Sequence, residues 1–86
     1  MAITPDYLSD AGDVVSAAAS VREAAATWRA RDPAMRVMVV DAMDMRDETP
    51  ALQVGSRCIY LATSSGMCVS ITQQPELATA MILTQD

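Results

Sequence analysis

Val14, Ala17, Ala18, Val21, Ala24, Ala25 and Trp28 recur at steps of three and four. That spacing gathers them on one side of a helix. It predicts a helix over 13–31, about 28 Å long at 1.5 Å per residue. Asp13 is placed to cap its start, Arg29 and Arg31 suit its negative end, and Asp32-Pro33 stops it. Upstream, Thr4 and Pro5 read as an N-cap followed by the first helical residue. They predict a short helical turn to about Ala11, interrupted by Gly12. The period then changes. "MRVMVVDA", Met35 to Ala42, is rich in β-branched residues and predicts a strand. "MDMRDETPALQVG" reads as a polar, acidic connection in which Leu52 and Val54 tuck down or form a short edge strand.

The stretch "RCIYLATSSGMCVSIT", Arg57 to Thr72, predicts a hairpin. With Ser64, Ser65 and Gly66 as its loop and Gly66 at positive φ, Thr63 faces Met67, Leu61 faces Val69 and Ile59 faces Ile71. These all share one face. The other face then carries Cys58, Tyr60, Ala62, Cys68, Ser70 and Thr72, a sorting that separates apolar from polar positions. "QQPELATAMILTQD" predicts one helical turn led by Pro75 and Glu76; "TAMILTQ" then either continues that helix or becomes a strand, with one turn followed by an edge strand the favoured reading. The expected fold is α+β: a long N-terminal helix packed on a small, mainly antiparallel sheet of three or four strands. It forms one domain over residues 1–86.

Composition sharpens this picture. Eighty-six residues bury only about 60–65% of their unfolded surface. The apolar share of 51% is enough for a core, built without Phe and with seven Met. Six Arg against eleven acidic residues give a net charge of −5, and Lys and His are absent. Phosphate backbones repel such a surface, so no nucleic acid is expected as a partner. No basic amphipathic helix, no apolar run of spanning length and no basic leader is visible, so no membrane association is expected. These features predict a cytoplasmic protein with reduced thiols.

The candidate chemistry is sparse. In the register above Cys58 and Cys68 lie four residues out of step, about 13 Å apart, whereas a disulfide needs Cα atoms within about 7 Å. Two distant thiols without His make a poor metal site. Neither thiol has a base to activate it, and Arg57 points away from Cys58. Both cysteines therefore read as small apolar residues. Asp41, Asp44, Asp47 and Glu48 have the oxygen ligands a hard cation takes; they equally suit a solvated loop, or an acidic docking surface for an Arg- or Lys-rich partner. Met43 and Met45, with Cys68, are soft ligands of the kind Cu(I) takes; alternatively they fold onto the sheet or meet a partner. The second sheet face, with Met38, Val40, Tyr60, Ala62 and Cys68, is too apolar for open water. Either the N-terminal segment or another chain is expected to cover it, which makes a homodimer or a partner contact a natural reading.

From Trp28 onward the chain resembles a small family of unknown function encoded in bacterial nitrogen-fixation gene clusters. The likeness rests on "WRARDPAMRVMVV", "DAMDMRDE", "CIYLATSSGMCVSIT" and "QPELATAMIL". Tyr60-Leu61, the run Cys68-Val69-Ser70-Ile71-Thr72, Pro75-Glu76 and Ala78-Thr79 match the family's pattern. Met67 stands where the family has His, and Ala80 where it has Gly. The resemblance implies an accessory protein near nitrogenase or its maturation and implies no catalytic residue. The expected function is a non-catalytic accessory or protein-interaction domain without a cofactor. Its expected interaction surface comprises Met38, Val40, Asp41, Met43, Asp44, Met45, Asp47, Tyr60 and Cys68. The alternative is a small metal carrier using Met and Cys or the acidic loop. An enzyme is the weakest reading, because the usual general base and any Gly-rich phosphate loop are missing.

Overall fold

A computed structural model describes residues 4–65 and 68–85, the side chains at 64, 65 and 68 excepted. The fold is α+β, with two helices on one face of a five-stranded mixed sheet.

Helix α1 (Pro5–Ala17) begins as its sequence dictates. The Thr4 hydroxyl accepts a hydrogen bond from Tyr7 N at 3.1 Å, Pro5 occupies the first turn, and Asp6 faces the positive end of the dipole. Helix α2 (Val21–Arg31) follows after a short break. The single long helix predicted over 13–31 is therefore two helices, and the break lies at 18–20 instead of at Gly12. Ser20 is the cause. It adopts extended geometry, φ −152° and ψ 165°, and its hydroxyl accepts from Glu23 N at 3.2 Å. Ser20-Val21-Arg22-Glu23 is a capping-box sequence that starts a new helix. Gly12 serves a different need. A Cβ there would stand 2.5 Å from Leu52 Cδ2, so its bare Cα lets α1 settle onto the sheet edge.

The strands are β1 (Arg36–Val39), β2 (Leu52–Val54), β3 (Arg57–Ser65), β4 (Cys68–Ile71) and β5 (Ala80–Gln85). Their order is β1-β5-β3-β2, with β4 also on β3. β1 and β5 run parallel and the other pairs antiparallel, so the sheet has one more strand and one more parallel pair than the sequence suggested. β2 and β4 share one edge of β3, because Ile59 O accepts from Ala51 N and Leu61 O from Thr72 N. After a 3₁₀ turn at Pro75–Leu77 the chain enters β5. β5 is central and not an edge strand. Its first five residues are all buried, as expected of a strand covered on both faces.

The hairpin register also differs. Ala62 pairs with Ile71, Thr63 with Ser70, Ser64 with Val69 and Ser65 with Cys68, which leaves two residues between the strands instead of three. The expected conformation of Gly66 and the Thr63–Met67 pairing fall outside the described residues. An odd shift in register exchanges the faces of β4. Val69 and Ile71 thus join Tyr60 and Ala62, while Ser70 joins Thr63, whose hydroxyl reaches Ser70 O at 3.5 Å. The assignment of β3 itself stands: Ile59 and Leu61 lie under the helices, and Tyr60 and Ala62 face away.

The main core lies between helices and sheet. Val15, Ala24, Ala25 and Trp28 meet Ile59, Leu61, Met81 and Leu83, each no more than 3% exposed. Two polar devices fix the helices. Arg57 on β3 donates to the carbonyls of Val15 and Ala18, both at 2.6 Å, and of Ala19 at 3.0 Å, which satisfies the open end of α1. At the other end, Trp28 Nε1 donates to Tyr7 Oη at 2.8 Å, and Tyr7 Oη donates to Asp32 Oδ2 at 2.7 Å.

Candidate functional site

The second sheet face is covered by the chain itself, neither by the N-terminal segment nor, of necessity, by another chain. Leaving β1, residues 40–51 cross that face to reach β2 on the far side of the sheet. Asp41 starts the crossing, its carboxylate accepting from Met43 N at 2.9 Å. A 3₁₀ turn, Ala42–Met45, then drops Met45 onto the sheet, where it is 7% exposed beside Tyr60, Ala62, Ala80 and Ile82. Tyr60 Oη donates to Met45 O at 3.3 Å, and Gln73 Nε2 to Thr49 O at 3.1 Å. These bonds hold the crossing down at both ends.

The residues expected to form one surface therefore divide. Met45 and Tyr60 are core, buried by each other. Met38 and Val40 are half-buried at the margin, as are Cys58 and Ile71. Asp41, Asp44, Asp47 and Glu48 are exposed on the crossing, with Arg46 as the one cation among them. Met43 stands out at 69% exposed, apolar and surrounded in sequence by carboxylates. The backbone of Cys68 pairs with Ser65 at the far end of β3, and its side chain falls outside the described residues.

Geometry bears on the soft-metal reading too. Met43 turns to solvent and Met45 to the sheet, so their thioethers do not converge. Cys68 lies seven residues along β3 from the level of Cys58, about 23 Å away. That separation is wider than the 13 Å of the expected register, and Cys58 is a free thiol. Among the described residues no group of three or more His, Cys, Asp or Glu side chains is close enough to hold a metal ion. Tyr60 and Ser70, expected on one face of the hairpin, lie on opposite faces. A groove of about 430 Å³ runs between α1 and β2, lined by Leu8, Gly12, Asp13, Leu52 and Val54 among others. Among the described residues its polar lining is Ser9, Asp13 and Ser16, all from α1, and the β2 side is apolar, so no polar groups converge from opposite walls.

One titration is displaced. Burial and the Asp32 carboxylate push the Tyr7 hydroxyl up to about 12, so it stays protonated and donating at neutral pH. This suits a structural tie, not a general base. Sequence reasoning had missed Tyr7 and Arg57. The signal for Tyr7 was slight, one Trp whose indole needs an acceptor once buried.

No family model, no curated protein and no solved structure matches the chain. Among the described residues no helix is long and apolar enough to cross a membrane.

Proposed function

We propose that this domain is a non-catalytic accessory protein that works by binding another protein through the acidic crossing over its second sheet face. The observation that carries this reading is Met43, 69% exposed on a tightly anchored turn and flanked by Asp41, Asp44 and Asp47. An exposed thioether with an acidic rim suits a partner whose apolar contact is ringed by Arg or Lys. A second copy of this chain fits less well, since a two-fold contact at Met43 would bring like-charged carboxylates together. The resemblance in residues 28–83 directs the search for that partner to nitrogen-fixing cells.

The test is affinity capture from such cells, using the wild-type protein, Met43→Asp, and a variant with Asp41, Asp44 and Asp47 changed to Asn. A nitrogenase or maturation component captured by the wild type, released by salt and lost with both variants, is the expected result. Capture that ignores both variants would remove the surface. Capture of no such component would remove the setting. A solution mass of two chains, lost in Met43→Asp, would replace the partner with a homodimer.

A further inference from the structure

We propose that the free edge of β1 is a second docking site, which accepts an extended acidic segment of a partner protein as an added strand. This inference is independent of the acidic crossing. Val40 N donates to Leu83 O, so the even positions of β1 turn their backbone groups toward β5. Val37 and Val39 therefore turn theirs outward. Only Val37 O is engaged there, by Arg29 Nε at 3.1 Å and Nη2 at 2.6 Å. Val37 is 4% exposed beneath Arg29, so the open groups of this edge are the outward N–H and carbonyl of Val39, which have no partner among the described residues and offer the paired bonds that strand addition uses.

Charge selects the occupant. Arg22 and Arg29, seven positions apart on α2, lie along this edge and line with Val39 a cavity of about 320 Å³. Both are exposed, and among the described residues neither has a carboxylate partner. In a chain of net charge −5 this is a local reversal of sign. A second copy of β1 would bring its own Arg22 and Arg29 against these two, so self-pairing is disfavoured. On the other face of the same edge, Met38 and Val40 are half-buried and apolar. An incoming strand thus meets Arg22 and Arg29 on its helix side, and on the other the apolar Met38 and Val40 with the exposed Arg36 at the start of the strand. The matching sequence alternates acidic and aliphatic residues. Arg29 keeps Val37 O and still has guanidinium N–H groups left for a carboxylate.

The test uses a seven-residue peptide alternating glutamate and valine, capped at both ends, titrated into ¹⁵N-labelled protein. The expected result is shifts confined to β1 and to α2 around Arg22 and Arg29, with slowed amide exchange at Val39. Arg22→Glu, a position without a hydrogen-bonding role in the fold, is expected to weaken binding about fivefold. Val39→Pro removes an outward N–H that no ladder bond uses and is expected to weaken it similarly. If Val39→Pro melts early, Arg22→Glu decides alone. The proposal is overturned by any of four results: no shift at millimolar peptide, equal binding of a lysine–valine peptide, equal binding of a peptide with the same composition in blocks, or the same shifts with inorganic phosphate.

Discussion

Replacing Tyr7 by Phe removes one oxygen and tests how α1 is held to α2. The phenol oxygen accepts from Trp28 Nε1 at 2.8 Å and donates to Asp32 at 2.7 Å. Trp28 is 3% exposed, so its N–H cannot turn to water. A buried donor left without a partner costs about 1–3 kcal/mol. The lost bond to Asp32 adds less, because that carboxylate is half-buried and rehydrates. The ring contact itself, edge to face with centroids 5.1 Å apart, survives in Phe. The sum is about 2–3 kcal/mol, a large share of the roughly 4–13 kcal/mol open to a chain of this size. The single Trp makes the assay direct: urea unfolding followed by its fluorescence. Tyr7→Phe is expected to lower the unfolding free energy by that amount, through a lower urea midpoint at unchanged slope, equivalent to roughly 10–15 °C in melting temperature. Asp32→Asn is expected to cost less in the Tyr7→Phe background than in the wild type, because the two share one bond. A loss under about 0.5 kcal/mol with unaltered Trp emission would refute the reasoning.

The same hydroxyl sets an alkaline limit. Its folded value of about 12 lies above the ordinary tyrosine value of 10.0, so its contribution is complete below pH 10 and fades as pH rises through 12. The stability gap between wild type and Tyr7→Phe, measured by urea unfolding across that range, is expected to close. Arg57→Met frees three carbonyls at the end of α1 and is expected to cost about 2 kcal/mol, with faster amide exchange in residues 15–19. Ser20→Ala removes the cap of α2 and is expected to cost about 1 kcal/mol by thermal melting monitored by circular dichroism. Protein purified without reductant is expected to take up two alkylating groups by mass spectrometry, since the strand register holds Cys58 and Cys68 apart.

Periodicity told much of this fold. The helical stripe through Val21, Ala24, Ala25 and Trp28 and the pleat of Ile59 through Ala62 are visible in order and spacing, while "AMILT" reads as helix or strand and is a strand. What escaped were choices decided by small local preferences or by distant packing. Gly12 reads as a breaker, yet it is a seat for Leu52. Ser20 with Glu23 carried the true break inside an alanine run that otherwise favours continuous helix. One residue more or less in the hairpin connection reverses every side chain of β4, and nothing local to "SSGMC" decides it. The centrality of β5 depended on β1 returning to pair with it from far upstream. The candidate surface was half legible. The acidic run advertises solvent, so the descent of Met45 onto Tyr60 within it was hidden, and the edge beside Arg22 and Arg29 could be seen only once α2 was placed over β1.

β5 has a consequence for how the protein is made. It is the last of the five strands to leave the ribosome, yet it stands between β1 and β3. Until Ala80–Gln85 emerges, β1 has no strand to join, and Val37, Ile59 and Leu61 lack Met81 and Leu83 between them. Joining of β1 to the rest of the sheet thus waits for its last strand, whatever order the other elements form in.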